Sequence, residues 1–129
     1  MRWLVCLLLG LVAGALMASM ATSMLQRRHA WPRALMTVMQ HELAAARHAA
    51  DEGGCGERSA PAAERLRLLA VDLEPALLAP GTPDRILARY AGDLRARLAE
   101  WNPQAPCPAQ ATALVAVSHA CDACHRDYR

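Results

Sequence analysis

The sequence predicts an all-α protein, an antiparallel up-down-up-down four-helix bundle. Ala and Leu are plentiful and Phe is absent, which favours helix over sheet. Apolar residues recur at steps of three and four along four segments, the spacing of one helix face. No stretch of useful length alternates apolar and polar residues as a half-buried strand does. The short connections between the four segments favour antiparallel neighbours.

The first two predicted helices, A and B, are bounded by proline and glycine. Helix A begins near Pro32, a residue type suited to the first helical turn, and ends at Gly53-Gly54. Helix B follows Ser59, which is predicted to cap it, and Pro75 is expected to kink or end it. The predicted apolar stripes are Met36, Met39, Leu43, Ala46 and Ala50 in helix A, and Leu66, Leu69, Leu73 and Leu77 in helix B.

The last two predicted helices, C and D, have clearer starts. Helix C has Thr82 as its predicted cap and Pro83 in its first turn, and it ends at Asn102-Pro103. Helix D begins near Pro108 and runs to the end of the chain. The predicted stripes are Leu87, Tyr90, Leu94, Leu98 and Trp101 in helix C, and Leu114, Val117, Cys121, Cys124 and Tyr128 in helix D.

The N-terminus has the pattern of a secretory signal peptide. A positive start at Arg2 precedes an apolar run over 3–16. Small residues then occupy the −3 and −1 positions of a cleavage site before Thr22. The sequence therefore predicts a signal peptide over 1–21 and the helical bundle over 22–129.

A retained membrane anchor is the alternative. The uncharged stretch over 3–26 is long enough to span a membrane. Arg27 and Arg28 outweigh Arg2, which favours cleavage, because a retained anchor would leave the larger positive charge outside. Both alternatives place the helical domain in the periplasm, either soluble or anchored to the inner membrane.

Charge and composition argue against two broad classes of function. The net charge of +2 gives no sign of a nucleic-acid-binding surface. The chain also carries no signature of a substrate pocket or of a poised catalytic base, so no enzyme is predicted.

The chemistry is concentrated in a motif near the C-terminus, Cys121-Asp122-Ala123-Cys124-His125. Two thiols three residues apart on a helix share nearly one face, so both can bond the vinyl groups of one haem. The adjacent imidazole of His125 then lies beside the iron as an axial ligand. This spacing is the signature of covalent haem c attachment.

Two other interpretations of the motif are weaker. A thioredoxin-like CxxC pair needs a βαβ context, and the sequence predicts no strands. A zinc site needs four ligands at set spacings; His119 could join, but a compact second pair is missing.

Bundle geometry points to Met36 as the second axial ligand. His125 lies near the end of helix D and Met36 near the start of helix A, at the same end of an up-down bundle. Met36 also lies on the inward stripe, where an ordinary core role is the alternative. Met39, about one turn deeper, is the second candidate. Ligation by His125 and Met36 would suit electron transfer, whereas an open position would bind NO or CO.

The segment 120–129 resembles the C-terminus of class II cytochromes c, the cytochrome c-prime family, in which the haem motif lies at the very end and is followed by an aromatic residue and Arg. Leu35-Met36-Thr37-Val38-Met39 resembles the stretch of helix A that carries either a Met ligand or an apolar blocking residue. With Met36 on that position, the resemblance implies the low-spin branch, which transfers electrons to and from redox proteins.

The resemblance implies further site residues. Arg129 resembles the family's Arg close to the haem, and Arg33 carries over as a second residue that could pair with a propionate or remain solvated. Family members often form homodimers through the first two helices, and this sequence leaves the oligomeric state open.

Cys55 and Cys107 lie in the A–B and C–D loops, which emerge at the same end of the predicted topology. An oxidising compartment favours a disulfide between them. Such a bond would stabilise the fold by about 4 kcal/mol on the chain-entropy model. The alternative is two unpaired loop cysteines.

Overall fold

The computed structural model describes the backbone of residues 2–128, and their side chains except those of residues 2, 4, 5 and 24–29. Within this range all the regular structure is helical and no strand occurs, which confirms the all-α prediction. The helices are α1 (Arg2–Asp51), α2 (Ala60–Val71), α3 (Leu73–Leu77), α4 (Arg85–Glu100) and α5 (Cys107–Asp127). The chain divides into two compact units, Met1–Arg33 and Ala34–Arg129.

The N-terminal unit contains an exposed apolar helical stretch. The window Cys6–Ser23 has a mean hydropathy of 1.9, and none of it is buried. Its length and composition would let it cross a membrane, and a signal sequence has the same properties. Both interpretations of the N-terminus fit this helix.

The predicted start of the first helix near Pro32 is wrong. α1 begins at Arg2 and contains Pro32 in its interior. A proline inside a helix removes one hydrogen bond, and the neighbouring Arg and Ala residues are strong helix formers. The predicted end is confirmed, because α1 stops at Asp51, before Gly53 takes a positive φ of 72°.

The second predicted helix is split in two. α2 ends at Val71 and α3 begins at Leu73, so the break lies at Asp72. Pro75 explains this position, because it has no N–H to donate to the carbonyl four residues earlier, that of Val71. Ser59 occupies the predicted N-cap position, but its side chain makes no capping hydrogen bond.

The predicted cap of α4, Thr82, is also wrong. The N-cap is Asp84, whose Oδ1 accepts hydrogen bonds from the N–H groups of Ile86 at 2.8 Å and Leu87 at 3.1 Å. An aspartate is a better cap than a threonine because its charge also interacts favourably with the helix dipole. The hydroxyl of Thr82 instead donates to the carbonyl of Ala79.

The predicted stripes meet in one core within the unit Ala34–Arg129. Trp101 is fully buried at the C-cap of α4. The core cluster is built mainly from stripe residues: Leu35, Met39, Ala46, Ala62, Ala63, Leu66, Ala70, Leu73, Ala91, Leu94, Leu98, Trp101, Leu114, Val117 and Ala120.

A disulfide joins the loop after α1 to the start of α5. Cys55 and Cys107 are bonded, with their Cα atoms 5.5 Å apart, which confirms the predicted pair. Beside the bond, Gln110 is completely buried and its amide nitrogen donates to the carbonyls of Pro103 and Ala105 at 2.7 Å. The hydroxyl of Ser59 donates to Gln110 Oε1 at 2.8 Å.

Candidate functional site

A cavity of about 210 Å³ lies inside the unit Ala34–Arg129. Side chains from every helix of this unit line it, and most of them are apolar. Leu43 of α1, Leu66 of α2, Leu73 of α3 and Leu94 of α4 contribute to its walls. The apolar stripes therefore enclose a space as well as a core.

The two cysteines and the histidine of the C-terminal motif, Cys121, Cys124 and His125, all line this cavity. They reach it from α5, while Met36 and Met39 reach it from α1. Met36 is partly buried, whereas Met39 is only 6% exposed and belongs to the core cluster. The structure thus brings together the predicted attachment residues and both predicted methionines.

A second, more open hollow of about 630 Å³ adjoins the same residues. Met36, Asp122, His125, Arg126 and Tyr128 line it. Met36, Asp122 and His125 border both spaces, so a planar group held between Met36 and His125 could extend from the apolar interior toward solvent.

The two motif cysteines carry free thiols, and both are partly buried. Burial is the main cause that raises the pKa of each thiol above its usual value of 9.0. Asp122 adds to the rise in the pKa of Cys121, while the cation of Arg47 opposes it. Both side chains are therefore protonated thiols at neutral pH.

Two tyrosine–aspartate pairs join the C-terminal end of α5 to the N-terminal end of α4. The Tyr128 hydroxyl donates to Asp84 Oδ2 at 2.6 Å, and the Tyr90 hydroxyl donates to Asp127 Oδ2 at 2.5 Å. The two rings meet edge to face, with centroids 6.3 Å apart and planes at 81°. This arrangement holds the turn that carries His125.

These hydrogen bonds also shift the pKa values of the groups that make them. The bond to Asp84 raises the pKa of Tyr128 to about 12, and the bond from Tyr128 is the main cause that lowers the pKa of Asp84. The bond to Asp127 raises the pKa of Tyr90. Sequence reasoning placed both tyrosines on apolar stripes but missed their partners.

Sequence reasoning also missed a polar contact in the cavity wall. The guanidinium of Arg47 on α1 donates a hydrogen bond to the hydroxyl of Ser118 on α5. That hydroxyl donates in turn to the carbonyl of Leu114 at 2.9 Å. Arg47 and Ser118 both line the cavity.

The two arginines predicted for the site have different outcomes. Arg33 belongs to the N-terminal unit and is exposed, and its role stays a prediction. Arg129 lies outside the described residues. His41, His48 and His119 are exposed, as expected for solvated side chains.

Among the described residues, no group of three His, Cys, Asp or Glu side chains is placed to hold a metal ion. Comparison with protein-family models, with curated proteins and with solved structures finds no match for this chain.

Proposed function

We propose that this chain is a monohaem c-type cytochrome that carries electrons outside the cytoplasm. One observation carries the proposal: the thiols of Cys121 and Cys124, the imidazole of His125 and the thioether of Met36 line one largely apolar cavity. Met36 and His125 belong to different helices and border the same spaces, as two axial ligands of one iron must.

The residues present fit a covalently held haem c. The thiols of Cys121 and Cys124 would each form a thioether with a vinyl group, and His125 would ligate the iron as the proximal residue. Met36 would be the distal ligand, and Met39 is the second candidate. The apolar walls suit a porphyrin face, and the adjoining open hollow lets one edge reach solvent. Bound haem supplies reversible one-electron chemistry at its iron.

Ligation by His125 and Met36 favours electron transfer over small-molecule binding. The imidazole of His125 and the thioether of Met36 would then both hold the iron, and a Met ligand would raise its reduction potential. The chain would accept one electron from a donor protein and pass one to an acceptor protein, without bond cleavage in any substrate. The chain's own contribution is to fix the ligands and to keep water from the apolar side of the site.

The thiol environment argues against a thioredoxin-like exchange function. Exchange depends on a thiolate, and reactive CxxC pairs have lowered pKa values. Burial raises the pKa of both Cys121 and Cys124. Neutral thiols in an apolar wall are suited to remain intact until each adds across a vinyl group.

We further propose that the fold is the antiparallel up-down-up-down bundle of class II cytochromes c. One contact between helix ends supports this topology. Tyr128 at the end of α5 donates a hydrogen bond to Asp84 at the start of α4, as expected for antiparallel neighbours.

A location in the periplasm is part of the same proposal. The apolar window Cys6–Ser23 could act as a signal sequence or an anchor. The disulfide between Cys55 and Cys107 is also typical of an oxidising compartment.

Absorption spectra of the purified holoprotein test the proposal, recorded oxidised and reduced, with and without CO. We expect a low-spin reduced spectrum with sharp α and β bands that CO leaves unchanged. The Met36→Ala variant should become high-spin and bind CO, whereas the matched Met39→Ala variant should stay low-spin. A high-spin wild type that shifts with CO would contradict Met36 ligation and favour a five-coordinate protein that binds NO or CO.

Mass spectrometry tests the attachment separately. The protein produced with haem-attachment machinery should gain the mass of one haem, and the Cys121→Ala, Cys124→Ala double variant should not. A wild-type chain without added mass would refute the cytochrome assignment itself.

A further inference from the structure

Arg47 places a positive charge in the wall of an otherwise largely apolar cavity. Its side chain lines the cavity from α1, and its guanidinium reaches across to Ser118 on α5. Among the described residues, no carboxylate forms an ion pair with Arg47, although seven ion pairs occur elsewhere. Arg47 is exposed to solvent although it borders the cavity, and an arginine keeps its charge, so it is free to bind an anion that sits at this side of the site.

The contact with Ser118 orients this cation. The Ser118 side chain is only 8% exposed, and its hydroxyl proton is already donated to the carbonyl of Leu114. Its oxygen is therefore left to accept from the guanidinium of Arg47. One bond to Ser118 leaves the other N–H groups of Arg47 available, since a guanidinium carries five.

The position of this pair relates it to the attachment residues. Ser118 precedes Cys121 by three residues on α5, so the two lie on nearly the same helix face. The cation of Arg47 is close enough to Cys121 to lower the pKa of its thiol against the effect of burial. The charge of Arg47 therefore lies beside the point at which the cofactor would be bonded.

We propose that Arg47, oriented by Ser118, binds a propionate carboxylate of the haem. The inference rests on the proposed function and adds a residue to it. A guanidinium can bind a carboxylate through two parallel N–H···O bonds, the strongest geometry available to an arginine. Asp122, the carboxylate that also lines the cavity, makes no ion pair with Arg47 and leaves it available.

The pairing has a consequence for the reduction potential. The iron site carries one positive charge fewer when reduced, so a nearby cation favours the reduced form and an uncompensated propionate favours the oxidised form. Loss of the Arg47 charge should therefore lower the potential. A tenfold decrease in the equilibrium constant for reduction, about 59 mV for one electron, is the size of effect that we expect.

Potentiometric titration of purified holoproteins tests the inference, with wild type, Arg47→Gln, Arg47→Lys and Arg58→Gln compared at one pH and salt concentration. Arg58 is the matched control, because it is exposed, pairs with Glu52 and does not line the cavity. We expect the potential to fall in Arg47→Gln, to be largely kept in Arg47→Lys and to be unchanged in Arg58→Gln.

The outcomes separate this inference from the proposed function. If wild type and variants carry covalent haem but Arg47→Gln has the potential of Arg58→Gln, the propionate assignment is wrong and the cytochrome assignment stands. If wild type carries no haem, the proposed function has failed first. Should Arg47→Gln not fold, Ser118→Ala replaces it: a lower potential supports the inference, and an unchanged one overturns it.

Discussion

The hydroxyl of Tyr128 lies 2.6 Å from Oδ2 of Asp84 and donates a hydrogen bond to it. The other oxygen of the same carboxylate caps the N-terminus of α4 by accepting from the N–H groups of Ile86 and Leu87. One side chain thus ends one helix and holds the end of another. Because Tyr128 is three residues from His125, this contact bears directly on the candidate site.

The pairing predicts a loss of stability in alkaline solution. Tyr128 has its pKa raised from 10.0 to about 12, so between these values the folded chain keeps a proton that the unfolded chain releases. The free energy of unfolding should therefore fall as pH rises from 10 to 12. Denaturant titrations across this range should show a smaller fall for Tyr128→Phe than for wild type. Equal falls in the two proteins would contradict the assignment.

The same hydrogen bond predicts that the free energy of unfolding falls in acid solution. The pKa of Asp84 is held below its usual value of 3.8, chiefly by Tyr128, so its contribution is present above that value and is lost as pH falls below it. Asp84→Asn should reduce stability at neutral pH and weaken the acid dependence. Asp93→Asn is a control, because Asp93 makes only an exposed pair with Arg97. If the free energy of unfolding falls equally at low pH in wild type and in Asp84→Asn, the result would count against the pairing.

Removal of the disulfide should destabilise the fold strongly. The bond spans 52 residues of sequence, and a loop of that size is worth about 4 kcal/mol on the chain-entropy model. The Cys55→Ser, Cys107→Ser double variant should lose that much in denaturant titrations, and reduction of the wild type should lose a similar amount. Thiol titration of denatured, unreduced apoprotein should find only Cys121 and Cys124, together with Cys6 in a chain that retains its N-terminal segment. Two further thiols would show that the bond is absent in solution.

The buried amide of Gln110 should matter more than its size suggests. Gln110→Leu keeps the volume but removes the hydrogen bonds to Ser59, Pro103 and Ala105. The Ser59 hydroxyl can turn to the Pro103 carbonyl 3.3 Å away, so the Ala105 carbonyl is the group left unsatisfied. Each unsatisfied buried group costs about 1–3 kcal/mol, so we expect a loss in that range at least. Gln104→Leu is the matched control, because Gln104 is exposed in the same loop region. Similar stability for the two variants would contradict the buried network.

Adjacent residues on α5 offer a test of the core. Leu114 is 1% exposed, whereas Val115 is 52% exposed. Leu114→Ala should cost about 2–5 kcal/mol, since it removes buried methyl groups and leaves a cavity. Val115→Ala should change the free energy of unfolding by less than about 0.5 kcal/mol. A small effect at Leu114 would mean that the helix presents a different face to the core.

The buried faces of the helices are predicted well from the sequence, because they follow from the spacing of the apolar residues. Leu66, Leu87 and Leu98 are buried where their stripes place them, because burial of one helix face follows from a period of 3.6 residues. Helix boundaries were less certain. The sequence predicts a helix start at Pro32, which lies inside α1, and a cap at Thr82, whereas Asp84 caps α4. At both helix starts the local sequence is compatible with the predicted boundary as well as with the observed one.

Polar contacts between helices could not be predicted in the same way. The hydrogen bond between Arg47 and Ser118 joins residues 71 positions apart in the sequence. The bond between Tyr128 and Asp84 joins residues 44 positions apart. Their pairing depends on the relative rotation and height of two helices, and no sequence period encodes these. The cysteines and His125 were predicted because their chemistry requires a fixed local spacing.

The bond between Cys55 and Cys107 also decides what a protease would release. The segment between α3 and α4 contains exposed residues over 79–83, the kind of site at which chains are nicked. A cut there divides the chain between two cysteines that are already bonded. The fragment that carries Cys121, Cys124 and His125 therefore stays covalently attached to the fragment that carries Met36, and the two separate on a gel only after a reducing agent is added.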